Sequence, residues 1–143
     1  KRRGAAGGAG SHHAALPELP ARRAAHVIGE TDRVIQSRDL LSAGDLPAFG
    51  RLMFDSHDSS RTYFENSCPE LDCLVDAAAG TPDAMGARLS GGGFGGSVIV
   101  LTSPSAADRL ERRLTTAYRA AFGTTCDSLR VSCADGARLV RCA

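Results

Sequence analysis

The chain has 143 residues, a formal net charge of +1 and 23% charged residues. Near-neutral charge removes the electrostatic case for binding nucleic acid or a membrane surface. An aromatic content of 5% supplies no base-stacking platform, and the length suits a single domain that buries roughly 70% of its unfolded surface.

Residues 1–16 are rich in Gly, Ala and basic residues and read as a flexible leader or linker. Residues 17–143 read as one domain. Pro17 and Pro20 punctuate the entry to a helix over 22–42. Val27, Ile28, Val34, Ile35 and Leu41 recur on it at helical spacing, an apolar stripe for a core, while Glu30, Arg33 and Arg38 are placed toward water. Gly44 is its C-cap. Asp45 is the N-cap of a second helix to Phe64, with Pro47 tolerated in the first turn. Leu46, Phe49, Leu52, Met53 and His57 form its inward stripe. Pro69 opens a third helix to Ala79 with Leu71, Leu74 and Val75 on one face. Gly80-Thr81-Pro82-Asp83 is a turn cluster.

A strand is expected over 84–89, then a glycine-rich loop, then a strand over 97–102. Pro104 starts a long helix to Phe122, and Gly123 ends it. Residues 128–133 alternate as a strand, Asp135-Gly136 marks a turn, and 137–141 form a last strand. Three helices followed by strand–loop–strand–helix–strand–turn–strand give an α+β domain, with helices packed on one face of a mainly antiparallel sheet.

Cys68, Cys73, Cys126, Cys133 and Cys142 are odd in number and include no Cys-x-x-Cys pair, so free thiols are the simplest reading. His12, His13, His26 and His57 make no ligand set, and no metal site is assigned. Ser56 and His57 are adjacent on a helix, about 100° apart, so they are poorly placed as a nucleophile and base. The longest strongly apolar run, 98–101, is far short of the roughly 18 residues that a membrane helix needs. The expected location is cytoplasmic.

Residues 86–101 read Gly-Ala-Arg-Leu-Ser-Gly-Gly-Gly-Phe-Gly-Gly-Ser-Val-Ile-Val-Leu. Five of the six residues from Gly91 to Gly96 are glycine, more than a tight hairpin needs. A glycine-rich connection between two strands is one reading; backbone N–H groups that approach phosphate explain the excess better. The spacing satisfies G-x-G-x-x-G, but a strand follows where a dinucleotide-binding turn needs a helix. It also satisfies the protein-kinase glycine loop, but the only lysine is Lys1, so the partner lysine of that loop and of a Walker motif is missing.

The segment Gly86-Ala-Arg-Leu-Ser-Gly-Gly-Gly-Phe-Gly-Gly96 is similar to the third motif of the GHMP small-molecule kinases, in its galactokinase form. Phe49-Gly-Arg-Leu-Met, Asp55-Ser-His-Asp-Ser-Ser-Arg and Ser67-Cys-Pro-Glu-Leu-Asp72 resemble the helical segment of that branch. Leu19-Pro and Arg22-Arg-Ala-Ala-His-Val resemble the entry to it, and Ala134-Asp-Gly-Ala137 its closing turn. The likeness runs over roughly residues 17 to 140. Ser97 departs from the pattern, where many members have cysteine.

The resemblance implies a ferredoxin-like antiparallel sheet packed by helices. It implies ATP- and magnesium-dependent transfer of a phosphoryl group to the anomeric hydroxyl of galactose. Related readings are a kinase for galacturonic acid, arabinose or N-acetylgalactosamine, or a non-catalytic sensor. By analogy Ser90, Gly91, Gly92, Gly93, Phe94, Gly95 and Gly96 bind the cofactor. Arg88 supports the loop or its charge, with an exposed strand arginine or a structural ion pair as the alternative. The family's catalytic aspartate, arginine and nucleotide loop have no counterpart here. Asp32, Asp45, Asp55, Glu65, Glu70 and Asp72 read as caps or solvated carboxylates, so no catalytic residue is assigned. The expectation is a carboxy-terminal domain, inactive alone, whose intramolecular partner is an amino-terminal half that holds ATP and Mg2+.

Overall fold

The computed structural model describes residues 16–134 and Gly136. Helix α1 spans Glu18–Ala43, four residues earlier than the apolar periodicity indicates. It ends where Gly44 adopts φ 73°, with the Gly44 and Asp45 amides donating to Leu41 and Leu40 carbonyls. Helix α2 spans Leu46–Ser59, and the Asp45 side chain accepts from the Ala48 amide at 3.0 Å as the expected N-cap. The chain then widens into a π-helical turn, Ser60–Phe64, where continuation of α2 is expected. Helix α3 spans Pro69–Ala79.

Strands β1, Ala84–Ser90, and β2, Ser97–Thr102, pair antiparallel, with Ala87 opposite Val100, Arg88 opposite Ile99 and Ser90 opposite Ser97. Helix α4 spans Ala107–Phe122 and stops at Gly123, φ 70°. The domain is α+β, as expected. Among the described residues the sheet has two strands. Residues 128–133 form no strand. Leu129 and Val131 stand in solvent, and Arg130 ties this run to Asp108 and Glu111 of α4. Alternation alone makes no strand without a neighbour for its N–H and C=O groups. The expected partner at 137–141 lies outside the described residues, as do residues 1–15.

The core sits between the hairpin and the helices. Val75 and Ala78 of α3 pack on Ala87 of β1, with Phe54, Val98, Val100 and Leu114 around them. Helix α2 lies on β1, and α1 lies on α2. The α2–β1 contact is backbone on backbone. A β-carbon on Gly50 would sit 2.0 Å from the Met85 carbonyl oxygen, and one on Gly86 would sit 2.4 Å from the Gly50 Cα.

The apolar stripe of α1 is a correction to the sequence reading. Val27, Ile28, Val34 and Ile35 are all exposed, while α1 buries Ala21 and His26. His26 Nδ1 lies 2.8 Å from Ser59 Oγ, and its ring stacks on Phe64 at 4.7 Å. Glu30 and Arg33, placed toward water by the same pattern, are partly buried and paired with each other at 2.6 Å. Helix α1 therefore rests on α2 through its polar side.

Candidate functional site

The glycine loop, residues 91–96, joins β1 to β2. Gly91, Gly93, Gly95 and Gly96 all have φ between 80° and 119°, and Phe94 has φ 57°. Four positions are open: a β-carbon on Gly91, Gly92, Gly95 or Gly96 would meet nothing within 4 Å. Gly93 is the exception. A β-carbon there would sit 1.9 Å from the Asn66 carbonyl oxygen, so only glycine lets the loop lie down on this residue.

Asn66 holds the loop from beneath. Its carbonyl accepts from the Phe94 amide at 2.7 Å, and its side-chain Nδ2 donates to the Gly92 carbonyl at 3.0 Å. Among the described residues, Phe94 is the loop amide that bonds back to the domain outside the strand ladder. Asn66 is buried, and its Oδ1 has no hydrogen-bond partner. The local chain explains its position. The π-helical turn lets the Ser60 carbonyl accept from both Glu65 at 2.7 Å and Asn66 at 3.3 Å. Glu65 then takes φ 60°, a conformation uncommon for a residue with a side chain. Arg22 and Arg23 of α1 pair with its carboxylate at 2.7 and 2.5 Å. The hydrogen bond from Arg23 leads in holding that carboxyl below its ordinary value.

A second brace meets β1 just before the loop. His57 is fully buried. Its Nδ1 accepts from the Leu89 amide at 3.2 Å, which leaves the ring proton on Nε2, 3.0 Å from Asp72 Oδ1. Burial leads in lowering the His57 pKa, against the opposing hydrogen bond to Asp72. Ser67 donates to the same carboxylate at 2.5 Å. Arg61 Nε approaches it to 3.2 Å without hydrogen-bond alignment, so that pair is Coulombic. Ser56 does not face His57 but donates to Glu30 at 2.8 Å.

Arg88 of β1 is half-buried and reaches α1. Its guanidinium lies 3.7 Å from Glu30 Oε2, which matches the ion-pair alternative. Burial pushes the Glu30 pKa up, but hydrogen bonds from Arg33 and Ser56, with the charges of Arg33 and Arg88, outweigh it and hold the pKa below its ordinary value. Among the described residues no three His, Cys, Asp or Glu side chains converge as a metal site. The carboxylates at Asp45, Glu65 and Asp72 are an N-cap, an arginine-paired group and the anchor of His57. Cys68, Cys73, Cys126 and Cys133 are free thiols.

The structure thus has Gly91 to Gly96 as one loop, with Ser90 at the end of β1, and adds three residues that sequence reasoning did not connect to it. His57 is legible only as an inward-facing residue, and Asp72 only as part of a helix start. Asn66 leaves no signal, because its partner Gly92 is 26 residues away in the chain.

The match to the family described as GHMP kinases C terminal covers residues 37–120. Galactokinase of Thermotoga neapolitana is 41% identical over 125 residues, 87% of this chain and 36% of that protein. The Bos taurus galactokinase is 46% identical over 119 residues, 83% of this chain and 29% of that protein. The chain therefore spans about a third of the length of these curated relatives. The solved structure of Lactococcus lactis galactokinase complexed with galactose superposes with a TM-score of 0.76 at 28% identity, over 82% of this chain and 31% of that one. A mevalonate kinase from L. major, in complex with R-mevalonate, gives 0.61 at 34% identity, over 68% of this chain and 29% of that one. A glycine loop between two antiparallel strands, held by the helical segment before it, accompanies these likenesses, and this chain belongs to the GHMP kinase family through its carboxy-terminal domain.

Proposed function

We propose that residues 17–143 form the carboxy-terminal domain of a sugar kinase that transfers the γ-phosphoryl group of ATP to the anomeric hydroxyl of galactose. The observation that carries this reading is the loop at 91–96. Its open glycines leave the backbone approachable, and oriented amides are an anion cradle. Phosphoryl transfer depends on positioning and charge stabilisation more than on covalent chemistry by the protein. Ser90 to Gly96 would hold the phosphates and exclude water from one side of them. Asn66 and the His57–Asp72 pair would keep that wall in place. Arg88 would act through its ion pair with Glu30. ATP supplies the phosphoryl group and the leaving group. The galactokinase name of the relatives and the galactose in the Lactococcus lactis structure support the sugar.

Mg2+ would enter with the ATP phosphates, held through an amino-terminal half. No described helix is long and apolar enough to cross a membrane.

The reading is tested by transplantation. Residues 17–143, joined behind the amino-terminal portion of a galactokinase, are expected to support ATP-dependent formation of galactose 1-phosphate. The 143-residue chain alone is expected to form none. A folded chimera without activity, beside an active parent, would overturn the proposal.

A further inference from the structure

We infer that Asn66 is the positioning residue of the glycine loop: its side-chain amide and its carbonyl together set the shape in which residues 91–96 present their backbone. The inference rests on the reading of that loop as a phosphate cradle, but it is judged by a separate measurement.

Two bonds from one residue straddle the loop. The carbonyl of Asn66 takes the Phe94 amide, and Nδ2 holds the Gly92 carbonyl. Between them Gly93 lies against the Asn66 backbone with no room for a β-carbon. Residues 92, 93 and 94 are thereby fixed at consecutive points. On the flanking Gly91, Gly95 and Gly96 a β-carbon would meet only open space. Without Nδ2, the Gly92 peptide loses its anchor and the adjoining amides lose a common direction.

The orientation of the side chain is determined by the same geometry. Rotating the amide by half a turn would set Oδ1 against the Gly92 carbonyl, two acceptors facing one another. The bond to Gly92 therefore requires Nδ2 on that side, which leaves Oδ1 buried and unpartnered. An unmet buried acceptor is costly. That cost is tolerated beside a loop with five strained or glycine-only conformations, and such concentrations of cost accompany sites shaped for a ligand.

A packing role and a positioning role predict different variants. Aspartate has the shape of asparagine but, when ionised, offers no donor to the Gly92 carbonyl. If Asn66 only fills space, Asn66→Asp leaves the loop ordered and Asn66→Ala loosens it. If Asn66 positions the loop, both variants release it.

The experiment is amide hydrogen exchange by NMR on the whole isotope-labelled chain. In the unsubstituted chain the Asn66 side-chain NH2 is expected to be protected and to show a coupling across its hydrogen bond to the Gly92 carbonyl. In both variants the Phe94 amide is expected to exchange about tenfold faster, the scale of one lost hydrogen bond, while Ala87 in the core is unchanged. Freely exchanging Asn66 NH2 protons in the unsubstituted chain would overturn the inference even if neither variant folds. So would normal Phe94 protection in Asn66→Asp. Adding inorganic triphosphate to the same sample tests the cradle separately. Unmoved loop resonances in the unsubstituted chain would count against the phosphate reading and leave the exchange result to decide the role of Asn66.

Discussion

Gly50 of α2 and Gly86 of β1 meet with no space between their backbones. A β-carbon on Gly86 would lie 2.4 Å from the Gly50 Cα, well inside any real contact. This fixes how closely α2 approaches the sheet, and so where His57, two turns further along α2, meets Leu89. Overpacking of a closed core costs about 1–3 kcal/mol, and here the obstacle is backbone rather than a side chain that can turn away. Gly50→Ala and Gly86→Ala are each expected to lower unfolding stability by about 3 kcal/mol or more. Urea unfolding checks this, and a loss below about 1 kcal/mol in either variant is the contrary result.

Removal of the His57 ring leaves a cavity, an unmet Leu89 amide and an Asp72 carboxylate without its buried donor. His57→Ala is expected to cost about 3 kcal/mol, from cavity and orphaned-polar contributions together. Asp72→Asn keeps an acceptor for Nε2 and is expected to cost less than half as much. Equal losses in thermal melts would show that the charge of Asp72, not its geometry, carries the brace.

Acid should weaken the domain in two stages. Burial leads in holding His26 and His57 below their ordinary value of 6.5. The unfolded chain then binds protons that the folded chain refuses. Stability is complete above 6.5 and is lost as the pH falls from there through the folded values. Glu30 is also lowered, from 4.5, so its contribution is lost only further down, as the pH falls through its folded value. The melting temperature is expected to begin falling below 6.5 and to steepen below 4.5. A melting temperature that stays constant from about pH 7.5 to about pH 5.5 would remove the histidine contribution.

Gly92 and Gly93 separate function from folding. A methyl group on Gly92 meets nothing, and its φ is not in the left-handed region, whereas one on Gly93 collides with Asn66. Gly92→Ala is expected to change stability by about 0.5 kcal/mol or less while lowering kcat/KM for ATP in the chimera. Gly93→Ala is expected to displace the loop and lower both. Full activity in a folded Gly92→Ala chimera would mean that phosphate does not approach that side of the backbone.

Helix limits were legible where local chemistry is strong. Asp45 with Pro47, Pro69, Gly44 and Gly123 mark ends that the structure keeps. The strands at 84–90 and 97–102 follow from composition and a glycine cluster. What covers a face was not legible. Periodicity groups Val27, Val34 and Ile35 on α1 but says nothing of the neighbour they meet, and in this domain they meet solvent. The loop was legible as an unusual run of glycine. Its supports were not, because Asn66–Gly92 and His57–Leu89 join residues far apart in the chain.

The dependence of the loop on Asn66 also sets an order of events during folding. A hairpin such as β1–β2 closes locally within about 1–10 μs. Its tip cannot become rigid then, because the residue that seats it belongs to a segment before α3 that must first dock. Late ordering of this kind gives a φ-value near zero at Asn66, with mutations there speeding unfolding and hardly slowing folding. The part of the chain with the most glycine is thus the part that waits longest for the rest.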